Sequence, residues 1–297
     1  MGALSLPGAH RRGGVALGVD PGMSGDGSIK LSAVTFRYPD GHLALDAVDL
    51  TIGHGERVAV LGPNGAGKTT LALHLNGIHA PASGSVAIGG VTVDRRRHTL
   101  AEVRRKVGIV FQDPDDQLFM PTVRGDVAFG PANFGVTGAD LSTRVETALT
   151  RVGMSAHAHR PPHHLSYGER RRVAVATVLA TEPDVLVLDE PTANLDPSAR
   201  RELATILDSL DLTIVLVTHD LPYALQLCER SVLLNAGRIV ADGDTAAILS
   251  DERLLAANRL ELPFGFSGFG PGRTGNNPAH GHLLGAHTHR PRSGSSS

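Results

Sequence analysis

The chain has one cysteine, no tryptophan and only 4% aromatic residues among 297. A single cysteine excludes an internal disulfide and agrees with a reducing cytosol. Cys228 lies in an apolar stretch read as helical, where a buried packing role is expected. Long hydrophobic runs are also missing: none approaches the ~20 residues needed to cross a bilayer. Arg11 and Arg12 are followed only by Val15-Ala16-Leu17, too short for a secretory segment. The expected place is therefore the cytosol, with any membrane attachment made through partners. The formal net charge of −2 gives no bulk pull toward nucleic acid or anionic membrane. With 41% hydrophobic and 20% charged residues, the composition is that of a soluble globular protein.

Residues 1–28 are rich in Gly, Pro and Ser without periodicity and are expected to be a disordered extension. From 262 to 297 the chain turns to Gly, Pro and His and ends in serines, which predicts a second disordered tail. The folded body is then 29–261, with no internal repeat. Its first strand-like runs are Ile29–Arg37, 47–52 and Arg57–Leu61, read as alternating, half-buried antiparallel strands. A helix is predicted over Lys68–Leu75, strands over 84–88 and 107–111, and a mostly helical middle over 115–180. The runs 185–188 and 214–217 are apolar at every position, as strands at the centre of a covered parallel sheet are. Residues 197–210 between them have a helical pattern. The predicted fold is α/β, with an antiparallel β lobe and a helical lobe.

Gly62-Pro63-Asn64-Gly65-Ala66-Gly67-Lys68-Thr69 matches the phosphate-binding pattern G-x-x-x-x-G-K-[ST] at every fixed position. An apolar strand precedes it and a helix follows. Glycines let backbone N–H groups converge on phosphate oxygens, and the helix N-terminus adds partial positive charge. Lys68 supplies a full charge for the β- and γ-phosphates. Thr69 offers a hydroxyl to Mg²⁺, and Thr70 completes the nucleotide-binding set.

Val185-Leu186-Val187-Leu188-Asp189-Glu190 reads as a buried strand ending in two acids. The carboxyl end of such a strand opens onto the ligand crevice of an α/β sheet. Asp189 is placed to hold Mg²⁺ and Glu190 to polarise the attacking water.

With these motifs the sequence resembles the ABC ATPase family over nearly all of 29–250. Phe111-Gln112-Asp113 resembles the Q-loop, and Leu165-Ser166-Tyr167-Gly168-Glu169 the family signature ahead of a helix. Asn194-Leu195-Asp196 is similar to a D-loop, and Val217-Thr218-His219-Asp220 to the switch-histidine segment. The resemblance implies that Gln112 bonds Mg²⁺ or the lytic water and that His219 donates to the γ-phosphate. It also implies that Tyr38 stacks on adenine. Ser166 and the N–H of Gly168 would meet the nucleotide held by a second subunit, identical or homologous, in a head-to-tail dimer. Tyr167 stands where the usual signature has glycine, and this position requires room and a negative φ.

Asp113-Pro114-Asp115-Asp116-Gln117-Leu118-Phe119, together with Asp126-Val127-Ala128-Phe129-Gly130-Pro131, resembles the energy-coupling-factor ATPases, including cobalt and nickel importers. There this region docks a transmembrane coupling component, alongside a substrate-binding membrane component, at the cytoplasmic face. Asp113, Asp115 and Asp116 would face basic residues of that partner. Of the 15 histidines, His280, His282, His287 and His289 lie in the tail, and His157, His159, His163 and His164 just before the signature. Neutral imidazole binds Ni²⁺, Co²⁺ and Zn²⁺. The expected function is an ATP-hydrolysing importer motor for cobalt or nickel. A vitamin as cargo and a soluble ABC ATPase outside transport remain as alternatives.

Overall fold

The computed structural model describes residues 29–263. The segments expected to be disordered lie outside the described residues, apart from Leu262 and Pro263, and so do the tail histidines. The chain runs β1 (Ile29–Arg37), β2 (Leu43–Ile52), β3 (Arg57–Leu61), α1 (Lys68–Leu75), β4 (Ser83–Ile88), β5 (Val91–Thr92), α2 (Arg97–Lys106) and β6 (Val107–Val110). The helices α3 (Val123–Asn133), α4 (Gly138–Arg151) and α5 (Tyr167–Leu179) follow. Then come β7 (Val185–Asp189), α6 (Pro197–Asp208), β8 (Thr213–Val217), α7 (Leu221–Leu227), β9 (Arg230–Asn235), β10 (Arg238–Asp244), α8 (Thr245–Ser250) and α9 (Glu252–Ala257).

One sheet is antiparallel, with strand order β2-β1-β4-β5. The other has the order β10-β9-β3-β8-β7-β6 and is parallel except for the hairpin β9–β10. Both sheets contribute to one core, joined by Leu71, Ala72 and Leu75 of α1. That helix lies against β2 and β4 on one side and β7 and β8 on the other. All five residues of β7 and of β8 are buried. Each large aliphatic side chain there contributes roughly 1.5–3 kcal/mol of burial.

Two expectations are corrected. Arg57–Leu61 is not a half-buried antiparallel strand: it pairs parallel with β8 and β9 at the centre of the larger sheet. Its Val58-Ala59-Val60-Leu61 run is fully buried because both faces are covered. Cys228 is buried as expected but lies just past α7 in extended backbone, φ −127° and ψ 124°. Burial pushes its thiol pKa up to about 12.

The helical lobe is α3, α4 and α5 packed together, with α5 also touching β6. Local capping explains where these helices begin. Thr122 accepts from Gly125 N at the start of α3. Ser166 and Glu169 form a reciprocal capping box at the start of α5. Asp196 accepts from Ser198 and Ala199 to open α6, with Pro197 at its first position.

Candidate functional site

The loop between β3 and α1 is shaped by close backbone approach. At Gly62, φ is 152° and an added Cβ would fall 2.2 Å from the Leu234 carbonyl oxygen. At Gly67, φ is 103° and a Cβ would fall 2.3 Å from Ala44 O. Neither position has space for a side chain. Lys68 is 7% exposed. Its Nζ donates to Gly62 O at 2.8 Å and to Pro63 O at 3.2 Å, so the ammonium folds back along the loop. Burial lowers its pKa, while the nearby Glu190 and Asp189 carboxylates oppose that shift.

The ends of β7 and β8 bring the acids beside this loop. Glu190 adopts φ 45°, a left-handed conformation that costs a non-glycine residue roughly 1–3 kcal/mol. The turn is held by Glu190 N donating to Val217 O at 2.8 Å. Oε1 of Glu190 lies 2.9 Å from Nδ1 of His219 and 3.9 Å from Nζ of Lys68. Its Oε2 accepts from the Thr218 hydroxyl at 3.2 Å and from His219 N at 3.4 Å. Asp189 is 5% exposed, and burial raises its pKa against the opposing Thr69 side-chain hydrogen bond. Its Oδ1 is buried without a hydrogen-bond partner.

Lys68, Glu190 and His219 open onto a cavity of about 350 Å³ lined also by Tyr38, His42, Ala44, the rest of residues 64–70 and Gln112; Asp189 is not part of its lining. The fold thus brings together residues 64–70, Tyr38, Gln112, Glu190 and His219 around one cavity. Gly62 and Pro63 do not line the cavity; their carbonyls accept from Lys68 Nζ. Ser166 and Gly168 do not line this cavity. They sit at the N-terminus of α5, where a Cβ on Gly168 would fall 2.8 Å from the Ala199 Cβ. Tyr167 meets the requirement for negative φ within α5. Its hydroxyl reaches Gln112 O at 3.4 Å, and its ring lies 5.6 Å from the guanidinium carbons of both Arg170 and Arg171.

Sequence reasoning missed Arg171. It is fully buried and donates to Phe111 O at 2.6 Å, to Gln112 O and to the Tyr167 hydroxyl. Gln117 adds a second tie, from its Nε2 to Ala174 O at 3.0 Å and Thr177 Oγ1 at 2.6 Å. The segment carrying Gln112 is therefore fastened to α5. The only signal was helical spacing, which puts Arg171 on the face shared with Tyr167 and Val175. Of the three acids after Gln112, Asp115 is already paired with Arg170 at 3.0 Å. His163 and His164 stack edge-to-face, and His157 lies 3.6 Å from Glu169. Among the described residues no group of three or more His, Cys, Asp or Glu has the geometry to hold a metal.

The ABC transporter family model matches residues 45–193. The chain is 66% identical over 239 residues to a putative ABC transporter ATP-binding protein of Streptomyces coelicolor, covering 80% of this chain and 91% of that one. It is 48% identical to the energy-coupling factor transporter ATP-binding protein EcfA of Methanothermobacter thermautotrophicus, covering 79% and 76%. Identity to the cobalt import ATP-binding protein CbiO of Rhodobacter capsulatus is 47%, covering 78% and 84%. Among solved structures, CbiO1 of Clostridium perfringens, part of the transporter complex CbiONQ, superposes with a TM-score of 0.70. It is 37% identical and covers 80% of this chain and 96% of that one. A dimeric ATP-binding cassette in a post-hydrolysis state with ADP and Pi superposes with a TM-score of 0.66, at 30% identity over 73% of this chain and 98% of that one. The chain belongs to the ATP-binding proteins of ABC transporters and is an ATPase.

Proposed function

We propose that the protein is the ATP-hydrolysing subunit of an energy-coupling-factor importer whose cargo is cobalt or nickel. The observation that carries the catalytic half is the meeting of Lys68, Glu190 and His219 on one cavity. Lys68 and the N–H groups of 64–70 hold the triphosphate. Glu190, gripped at both oxygens, accepts a proton from the attacking water. His219 steadies Glu190 and contacts the terminal phosphate. The residues also suit a divalent cation: the partnerless Oδ1 of Asp189, the Thr69 hydroxyl and Gln112 are oxygen donors of the kind Mg²⁺ takes. When bound, Mg²⁺ neutralises charge on the transferring phosphoryl group. Asp189 and Thr69 would hold it, with Gln112, whose segment Arg171 ties down, as a further oxygen donor.

Ser166 and Gly168 serve the nucleotide of a second ATPase subunit, a reading supported by the likeness to a dimeric ATP-binding cassette. Membrane components are the remaining partners. Phe119 and Phe129 are 62% and 40% exposed, with rings 4.8 Å apart edge-to-face, close in sequence to Asp113 and Asp116. This apolar pair beside acids suits a transmembrane partner with an apolar, basic segment. No helix among the described residues is long and apolar enough to cross a membrane. Attachment at the cytoplasmic face through that partner is supported by the likeness to the energy-coupling factor and cobalt import ATP-binding proteins. Cobalt as cargo is supported by the likeness to the cobalt import ATP-binding protein, and nickel is included for its similar ligand chemistry.

The test is to purify the tagged chain with its membrane components and reconstitute them in liposomes. ATP-dependent uptake of radiolabelled Co²⁺ or Ni²⁺, lost with Glu190→Gln, is expected. Recovery of no membrane component would sink the transporter reading. Uptake of a vitamin instead of either metal would sink the cargo assignment alone.

A further inference from the structure

We propose that His42 forms the second wall of a nucleobase slot whose first wall is Tyr38. This rests on the reading of the cavity as the ATP site and adds a residue to it. Both side chains line that cavity. They come from the two ends of one tight turn, closed by Tyr38 N donating to His42 O at 2.9 Å and Gly41 N donating to Tyr38 O at 2.9 Å. Asp40 Oδ1 accepts from His42 N at 2.9 Å and fixes the far arm. The backbone therefore places both rings side by side.

The rings are close to parallel, 17° between planes, with centroids 6.4 Å apart. A stacked layer is roughly 3.4 Å thick, so a base held between two rings needs slightly more than the separation seen. Only His42 has to yield. The Tyr38 hydroxyl is bonded to Thr70 Oγ1 at 2.9 Å. Its ring meets Phe36 edge-on at 5.1 Å and His79 at 5.7 Å. Phe36 in turn packs on His74 and His79, both at 4.8 Å. Tyr38 is thus a supported wall and His42, which is exposed, a hinged one. Stacking reads the presence of a base and not its edge, because every base has a π-face. The slot consequently favours a nucleotide over bare polyphosphate without choosing between purines.

Calorimetric titration of the full chain with Mg²⁺ and three probes decides the matter: AMP-PNP, GMP-PNP and inorganic tripolyphosphate. His42→Ala should weaken both nucleotides about tenfold and leave tripolyphosphate unchanged. His42→Phe, which keeps a ring, should bind the nucleotides as the wild type does. Wild-type nucleotide affinity in His42→Ala would overturn the proposal. So would an equal loss on tripolyphosphate, or a Phe variant as weak as the Ala variant. A wild-type protein that binds none of the three probes would instead overturn the ATP-site reading itself.

Discussion

His219 Nδ1 lies 2.9 Å from Glu190 Oε1, while the Thr218 hydroxyl and the His219 backbone N–H hold the other carboxylate oxygen. The carboxylate just past the buried strand β7 is thus held by the residues that follow β8, with the Lys68 ammonium 3.9 Å from Oε1. The two strands pair parallel up to Asp189 and Val217. The sheet register delivers the acid and its imidazole partner to the same edge.

Glu190→Gln is expected to reduce ATP hydrolysis by roughly 10²–10⁴-fold while nucleotide affinity stays near wild type. The amide keeps the shape but cannot take a proton. Single-turnover hydrolysis and equilibrium binding on the same preparation separate the two. Wild-type hydrolysis by the variant would remove Glu190 from its assigned role.

Lys68→Ala acts on the other half of the chemistry. It removes a buried ammonium aimed along the phosphate loop, and affinity for MgATP should fall by roughly 2–5 kcal/mol. The loss should extend to tripolyphosphate, because the group lost addresses phosphate and not the base. Retained tripolyphosphate binding would contradict the placement of Lys68.

Arg171→Leu removes the guanidinium that serves the Phe111 carbonyl and shares the Gln112 carbonyl with the Tyr167 hydroxyl. A hydrogen bond from a charged donor contributes about 1.5–3 kcal/mol, so the melting temperature should drop. Arg171→Lys should not restore it, since an ammonium cannot reproduce the planar fork. An unchanged melting temperature in Arg171→Leu would show that these bonds contribute nothing net.

Asp126 gives a pH signature. It is 2% exposed, and burial raises its pKa despite N–H bonds from Met120 and Phe119, each 2.9 Å. With the folded pKa above the unfolded one, the native state holds this proton longer. The stability linked to this group is therefore greatest below the unfolded pKa and declines as pH rises through the folded one. Asn at this position cannot ionise. The stability of Asp126→Asn relative to wild type should then grow as pH rises from acid toward neutral, read by denaturant unfolding at a series of pH values. A difference independent of pH would refute the shift.

The nucleotide-binding loop and the strand running into Asp189 and Glu190 were legible because each depends on local geometry, whereas His219 was picked out by the family resemblance. A strand, a glycine turn and a helix start are written within a dozen residues. The parallel setting of β3 was misread, because Arg57–Leu61 is short and only its neighbours reveal that both faces are covered. Arg171 was hidden for a related reason. Nothing in the run Arg170-Arg171-Arg172 distinguishes the one that the packed helix buries.

Residue type and spacing determined that a phosphate-loop pattern and a buried strand running into two acids exist, since these demand particular residues at particular backbone positions. Only the tertiary structure decided which of them meet. Register across β3, β7 and β8 sets Lys68 within 3.9 Å of Glu190. The turn at 38–42 sets two rings over the same cavity. The packing of α5 keeps Ser166 and Gly168 away from it. These distances join residues far apart in the chain, and burial of the shared core, not local propensity, holds them.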